Sequence, residues 1–174
     1  MKVKIRLARK SDLSDYSKLL QKTFQDTYTD ESIGLKKELF SEEVFSSSRI
    51  QKYLASNLEV HDKQKTWAAF IDSKMIGSIT ITEREEDYEL RGFYVATKYQ
   101  GQGIGKNLWK LAEEFAKKKD ITLDTYVHGK RTIEMYKRWG FEIDKNKGEF
   151  YRHWEEWPEG IKAKCVYMRY KIEK

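Results

Sequence analysis

Apolar residues recur along this chain with two periods, and the change from one to the other marks the elements. "VKIRLA" alternates apolar and polar positions, which predicts a first strand. Ser11 and Asp12 then stand at a helix start, with Leu13, Tyr16, Leu19, Leu20 and Phe24 following at helical spacing. Residues 31–57 read as one or two further short helices, with Ile33, Leu35, Leu39, Phe40, Ile50, Tyr53 and Leu54 as their apolar positions. "TWAAFI" and "MIGSITITE" are strands around a turn at Asp72–Ser73–Lys74, and a second turn near Glu85–Asp87 leads into the strand "YELRGFYV". A glycine-rich loop follows, then a helix predicted to run to about Lys119, where "KKK" complements the negative end of the helix dipole. "ITLDTYV" is a strand, and "KRTIEMYKRWG" a short helix with Gly140 placed to terminate it. "FEIDK" and "KAKCVYMRYKIE" are closing strands. This order predicts one α/β (α+β) domain over residues 1–174, a mixed sheet with helices on both faces.

Composition narrows the function classes. The chain has 174 residues, 39% apolar and 36% charged, with a net charge of +6. The charge is dispersed, interrupted by acidic runs such as "EREEDYE", and no basic stripe with interleaved aromatics is present, so a nucleic-acid partner is not expected. No apolar run approaches a membrane span, and "MKVKIRLARKSDL" lacks the apolar core of a secretory signal. The lone cysteine, Cys165, excludes an internal disulfide framework and fits a reducing cytoplasm. His61, His128, His153 and Cys165 have no metal-ligand spacing, so no metal is expected, and Cys165 reads as core.

The stretch "VATKYQGQGIGKNL" carries the candidate chemistry. A phosphate loop of the G-x-x-x-x-G-K-[ST] type fails at Gln100 and Asn107. A dinucleotide fingerprint fails at Lys106 and Leu108. The pattern Q-x-x-G-x-G is met by Gln100, Gly103 and Gly105. By itself it describes either a tight strand-to-helix turn or a loop that cradles an anion. The following helix carries Ile104, Leu108, Leu111, Ala112 and Phe115 on one face, so packing fixes its first turn. Its unpaired N–H groups then point at whatever lies before Gln100–Lys106, an arrangement suited to phosphate or pyrophosphate. Gly103 and Gly105 remove side chains that would hold an anion off.

At this point the chain resembles the GNAT superfamily of acetyl-coenzyme A-dependent N-acetyltransferases. "FYVATKYQGQGIGKNL" is similar to the family's strand, pyrophosphate loop and helix, and "TIEMYKRWGF" to its later helix with a tyrosine and a terminal Gly-Phe. "KTFQDTY" resembles a segment of bacterial spermidine/spermine-type acetyltransferases. The resemblance implies a mostly antiparallel sheet in which two parallel neighbours, "YELRGFYV" and "ITLDTYV", splay apart and admit acetyl-CoA. It implies that backbone groups of Phe93, Tyr94 and Val95 pair with the pantetheine arm. The amides of Gly101, Gln102, Gly103, Ile104, Gly105 and Lys106 would hold the pyrophosphate, with Gln100 bordering the loop. Lys106, Lys110 and Lys130 are either aids to the adenosine phosphates or ordinary solvated surface.

Tyr136 matches the family tyrosine that protonates the departing thiolate, and a phenol with pKa ~10 is chemically fit for it. Spacing alone also fits a core aromatic. Glu89 stands where some relatives carry a catalytic glutamate; its other reading is an ion pair with Arg91 or a neighbouring strand. Alternation would put Glu89, Arg91, Phe93 and Val95 on one strand face. Four residues of strand span ~13 Å, so Glu89 would reach the reaction centre near Phe93 through water. Arg91 is awkward beside a cationic substrate. Where many relatives have an asparagine, seven residues before the tyrosine, this chain has Gly129. "FYRHWEEWPEGIK" offers aromatics and carboxylates to embrace an amine, or to cover the sheet or a homodimer contact. "TFQDTY" would form the other lip of the cleft. The expected activity is acetyl transfer to a small amine or polyamine; the competing reading is an acyl-CoA-binding module without turnover.

Overall fold

The chain reverses between its second and third strands through two residues only, Asp72 and Ser73, both at positive φ (47° and 65°). That backbone matches the right-handed twist of the strands it joins. From it the computed structural model, which describes residues 2–116 and 118–172, builds one sheet. The strands are β1 (Lys4–Leu7), β2 (Gln64–Ile71), β3 (Lys74–Glu83), β4 (Tyr88–Val95), β5 (Ile121–Tyr126), β6 (Phe141–Ile143), β7 (Glu149–Arg152) and β8 (Ala163–Tyr170). The helices are α1 (Leu13–Tyr28), α2 (Glu42–Phe45), α3 (Ser48–Asn57), α4 (Ile104–Phe115) and α5 (Lys130–Arg138). Strand order is β1-β2-β3-β4-β5-β8-β6, with β7 also on β8; β4 and β5 are parallel and the other pairs antiparallel.

Four sequence expectations are refined or corrected. Residues 31–57 form two 3-10 turns besides α2 and α3, because Asp30, Ser41 and Ser47 each cap a new start with a side-chain oxygen. The helix after the glycine loop ends at Phe115, short of "KKK". Lys117 lies outside the described residues, and Lys119 instead reaches the β3–β4 turn, donating to Glu83 Oε1 (2.9 Å) and to the carbonyls of Arg84 (2.9 Å) and Glu85 (3.1 Å). Part of the supposed loop "FYRHWEEWPEGIK" is strand β7, too short and charged to show a pattern; it pairs Glu149–Arg152 with Val166–Ala163. The last strand stops at Tyr170, and Glu173 of its predicted span is outside the described residues.

The sheet separates two cores. On one face α1, α2 and α3 bury Tyr16, Leu20, Phe40, Phe45 and Leu54. On the other, α4 and α5 bury Leu108, Trp109, Ala112 and Tyr136 against Ile79, Ile81, Ile121 and Met168. Each helix contributes one apolar stripe, which removes from water the area that stabilises the layer.

Two irregularities in β4 matter for function. Thr80 faces Gly92 but Ile81 faces Leu90, so Arg91 is an extra residue, a β-bulge. A bulge shifts the pleat by one. Tyr88 and Leu90 before it, and Phe93 and Val95 after it, all join the α4 core, whereas Tyr94 joins the α1 core. Glu89 and Arg91 therefore do not share a face with Phe93 and Val95, contrary to simple alternation. Second, β4 and β5 pair only at Tyr88–Ile121 and Glu89–Thr122. Beyond that point β4 stays with β3 as far as Val95–Gly77, and β5 stays with β8 as far as Tyr126–Cys165. The two strands part, and their facing edges have no strand partner.

Candidate active site

The glycine loop lies at the mouth of this parting. Gly101 and Gly103 are both left-handed (φ 75° and 81°), and a Cβ on either would meet nothing within 4 Å. The glycines serve the backbone path, which turns successive amides outward. Among the described residues, none of the N–H groups of Gly101, Gln102, Gly103, Ile104, Gly105 and Lys106 finds an acceptor; the first inward bond is Asn107 N to Gly103 O at 3.0 Å. Gln100 clamps the loop to the strand, its Nε2 donating to the Val95 carbonyl at 2.9 Å, and Gln102 Nε2 donates to Lys98 O at 3.2 Å. Gly105 differs from the expectation. Its Cβ would sit 3.2 Å from Phe93 Cζ, so it is small for packing against β4 rather than for anion approach. Lys106, Lys110 and Lys130 are exposed and join no ion pair with a described residue.

On the opposite face, the parting opens into a cavity of about 430 Å³. Its walls are aromatic: Phe24 and Tyr28 from α1, Phe45 from α2, Tyr53 from α3, Tyr94 from β4 and Trp154 after β7. Phe24 and Tyr28 belong to "TFQDTY", so this segment does supply a lip. Glu89, Arg91, Asp124 and Arg152 bring charge to it, and Glu89 and Asp124 also border a smaller neighbouring cavity of about 220 Å³. The layout is a cleft through a sheet: free amides and an open strand edge on one side, an aromatic chamber on the other.

Comparison with known proteins decides the family. The sequence model described as Acetyltransferase (GNAT) family matches residues 17–141. The chain belongs to the GNAT acetyltransferase family. It is an acetyl-CoA-dependent N-acetyltransferase. It is 28% identical over 158 residues to the spermidine N(1)-acetyltransferase of Thermoplasma acidophilum, covering 85% of this chain and 93% of that protein. An uncharacterized N-acetyltransferase of Methanocaldococcus jannaschii is 26% identical over 148 residues, 79% of this chain and 60% of that one. The fold matches the crystal structure of PaiA N-acetyltransferase from T. acidophilum in complex with coenzyme A (TM-score 0.75, 21% identity, 98% and 99% of the two chains). It also matches a GNAT-family acetyltransferase from Streptococcus pneumoniae (TM-score 0.68, 21% identity, 98% and 100%).

Tyr136 lies on the α4 side of this GNAT fold, 6% exposed, its ring 5.3 Å from that of Phe141. Its hydroxyl makes no hydrogen bond to a described residue. Burial, with smaller effects from Tyr28 and Asp124, pushes the phenol well above the ordinary tyrosine range. The residue is at once a core aromatic and an unspent proton donor. Glu89 borders the chamber, but Arg84 holds it: Nε donates to Glu89 Oε2 at 2.8 Å and Nη2 closes on the same oxygen. Gly129 is filled from elsewhere, since a Cβ there would lie 3.0 Å from Tyr28 Cε1 and 3.2 Å from the Tyr126 carbonyl. Tyr28 occupies the room an asparagine would need.

Sequence reasoning missed Asp124 and Arg152, which pair at 2.8 Å, and Tyr126, whose buried hydroxyl has no hydrogen-bond partner within 3.5 Å among the described residues. A charge inside the apolar run "ITLDTYV" was the available signal. Of the carboxylates of "WEEWPE", Glu156 is engaged within the protein: it binds Arg49 and accepts from Ser47 Oγ at 2.7 Å. Trp154 and Trp157 stack at 5.2 Å, and Trp157 Nε1 donates to Leu39 O at 3.2 Å. The segment covers the helices, and its residues Arg152, His153 and Trp154 line the chamber. Burial raises the Cys165 thiol to about 11, so it stays protonated at neutral pH. Among the described residues no helix is long and apolar enough to cross a membrane, and no three His, Cys, Asp or Glu side chains converge as metal ligands.

Proposed function

We propose that this enzyme acetylates a primary amine on a small molecule by direct attack on acetyl-CoA bound in the parting of β4 and β5. The observation that carries the reading is that parting, with six outward amides at its mouth. The amides of Gly101–Lys106 hold the pyrophosphate, and the open edge of β4 at Phe93, Tyr94 and Val95 receives the pantetheine arm as an added strand. The acceptor enters from the aromatic chamber and meets the thioester in the gap.

An amine with pKa ~10.4 is mostly protonated at neutral pH and must lose a proton before it attacks. Glu89 takes that proton through water, while Arg84 fixes the position of its carboxylate. Attack forms the C–N bond and breaks the C–S bond; Tyr136 delivers its phenolic proton to the sulfur as charge develops there, and the proton the nitrogen sheds on becoming an amide returns through water to the phenolate. Burial keeps Tyr136 in the protonated form that this step uses. The spermidine-acetylating relative makes polyamines one class in the panel that tests this reading. Thiol release from acetyl-CoA is measured with amines, polyamines, amino acids, aminoglycosides and peptides. Amine-dependent release above background hydrolysis is expected, and its absence across the panel overturns the assignment.

A further inference from the structure

The chamber, as charged, does not suit a polycation. Three arginines line it against two carboxylates. Both carboxylates are already matched: Asp124 by Arg152 at 2.8 Å, and Glu89 by Arg84, whose Nε is 2.8 Å from it. Arg49 is likewise neutralised, its Nε 3.0 Å from Glu156 Oε1. Arg91 is different. Its guanidinium lies 5.0 Å from the Tyr53 ring centre, donates to Gln64 Oε1 at 3.0 Å, and reaches Ser56 Oγ at 3.4 Å. It forms no ion pair with any described carboxylate. Two of its donors thus meet neutral oxygens, while a guanidinium carries five and a full charge. Arg91 shares the chamber face with Glu89 by ordinary alternation, and the bulge at Arg91 is what sends Phe93 to the other face instead of leaving it beside Arg91. The neighbouring wall adds Tyr126, 3% exposed, whose hydroxyl has no hydrogen-bond partner within 3.5 Å among the described residues.

We infer that Arg91 anchors an oxyanion of the acceptor: the amine acetylated here also carries a carboxylate or phosphate. This rests on the transferase reading above. The geometry suits a small zwitterion. The guanidinium reaches over the sheet to Gln64 of β2, two strand spacings (~10 Å) from β4, so an elongated molecule such as an ω-amino acid spans from anchor to gap. Its middle lies against Phe24, Tyr94 and Trp154, and its amino end reaches the thioester. A polyamine brings only positive charge, and would place it beside an unneutralised guanidinium.

Matched pairs test the inference: an aromatic α-amino acid against its decarboxylated amine and its amide, an ω-amino acid against the corresponding diamine, and an O-phosphorylated amino alcohol against the parent alcohol, with spermidine alongside. Each is assayed for thiol release, and for binding by calorimetry to CoA-saturated protein. In the wild type the anionic member of at least one pair should exceed its partner about 10- to 100-fold in kcat/KM, the scale of a charge-assisted bond. The carboxylate and phosphate pairs tell the two sources apart. Arg91→Gln, which keeps a donor for Gln64, should erase that preference mainly through KM, and Arg91→Lys should keep part of it. Equal or better use of the uncharged members, or a preference that survives both substitutions, overturns the anchor. Anionic ligand bound by the wild type and lost in the variants, without turnover by any amine, supports the anchor and sinks the transferase reading. Neither turnover nor binding sinks both.

Discussion

At the scale of single residues, Tyr136 is separable into ring and hydroxyl. The ring packs on Phe141, while the hydroxyl binds no described residue. Tyr136→Phe should therefore leave thermal stability nearly unchanged and lower kcat by roughly 10²-fold, with coenzyme A affinity intact. A wild-type kcat in that variant would remove Tyr136 from the chemistry. The pH profile carries a matching sign. Burial raises the Tyr136 pKa, so the proton donor is lost only on the alkaline side, beyond the usual tyrosine range. Rate should rise with pH as the bound amine loses its proton, with no falling limb below about pH 10. Gly129→Asn tests a different point. Restoring the residue common in relatives drives a side chain into Tyr28, and should cost about 1–3 kcal/mol in urea unfolding. Tyr136 and Glu89 were legible from sequence as candidates. The arginine holding Glu89 was not named, because Arg84 sits across a turn whose geometry local pattern does not give.

At the scale of elements, two glycines that look equivalent in "QGQGIGK" have different work. Gly103 is left-handed and faces open space; Gly105 is pressed against Phe93. Gly103→Glu should fold, with a modest loss from the positive φ, and lose coenzyme A binding in calorimetry as a carboxylate enters the anion site. Gly105→Glu should instead lower thermal stability, since its clash is with the core. The β2–β3 turn gives a stability test independent of the site. Asp72 and Ser73 both hold positive φ, a conformation that Asn-Gly adopts with less strain. The double change Asp72→Asn with Ser73→Gly should stabilise by about 1 kcal/mol in chemical denaturation, leaving kcat unaltered.

At the scale of the whole molecule, Arg169 of β8 ties three segments together. Its guanidinium lies 2.9 Å from Asp144, 3.3 Å from Asp120 and 3.6 Å from Asp87. These carboxylates follow β6, precede β5 and precede β4. Arg169→Leu leaves them facing one another, with Asp144 only 7% exposed, and should cost about 2–3 kcal/mol. Burial works against the Asp144 charge, yet Arg169 and the amides of Lys147 and Asn146 hold its pKa below the ordinary aspartate value. A depressed carboxylate contributes stability that is full above the unfolded pKa, ~3.9, and is lost as pH falls through the folded one. The Arg169→Leu deficit, measured by thermal unfolding, should therefore be largest near neutral pH and shrink below about pH 4.

The sequence by itself determined the elements and the glycine loop proposed here for the cofactor. Strand alternation, the helical stripe from Ile104 to Phe115, and the Q-x-x-G-x-G loop are local, because side-chain period and glycine dihedrals are set within a few bonds. The tertiary structure decided the acceptor side. One extra residue at Arg91 exchanges the faces of β4, and it is visible only against the register of β3. The chamber draws on α1, α2, α3, β4, β5 and the segment after β7, so its charge pairs join residues far apart in the chain, Asp124 with Arg152 and Arg49 with Glu156. No period records such pairs. They exist only once packing has brought the partners within a few ångströms, and they leave Arg91 as the cation in the chamber without a described carboxylate beside it.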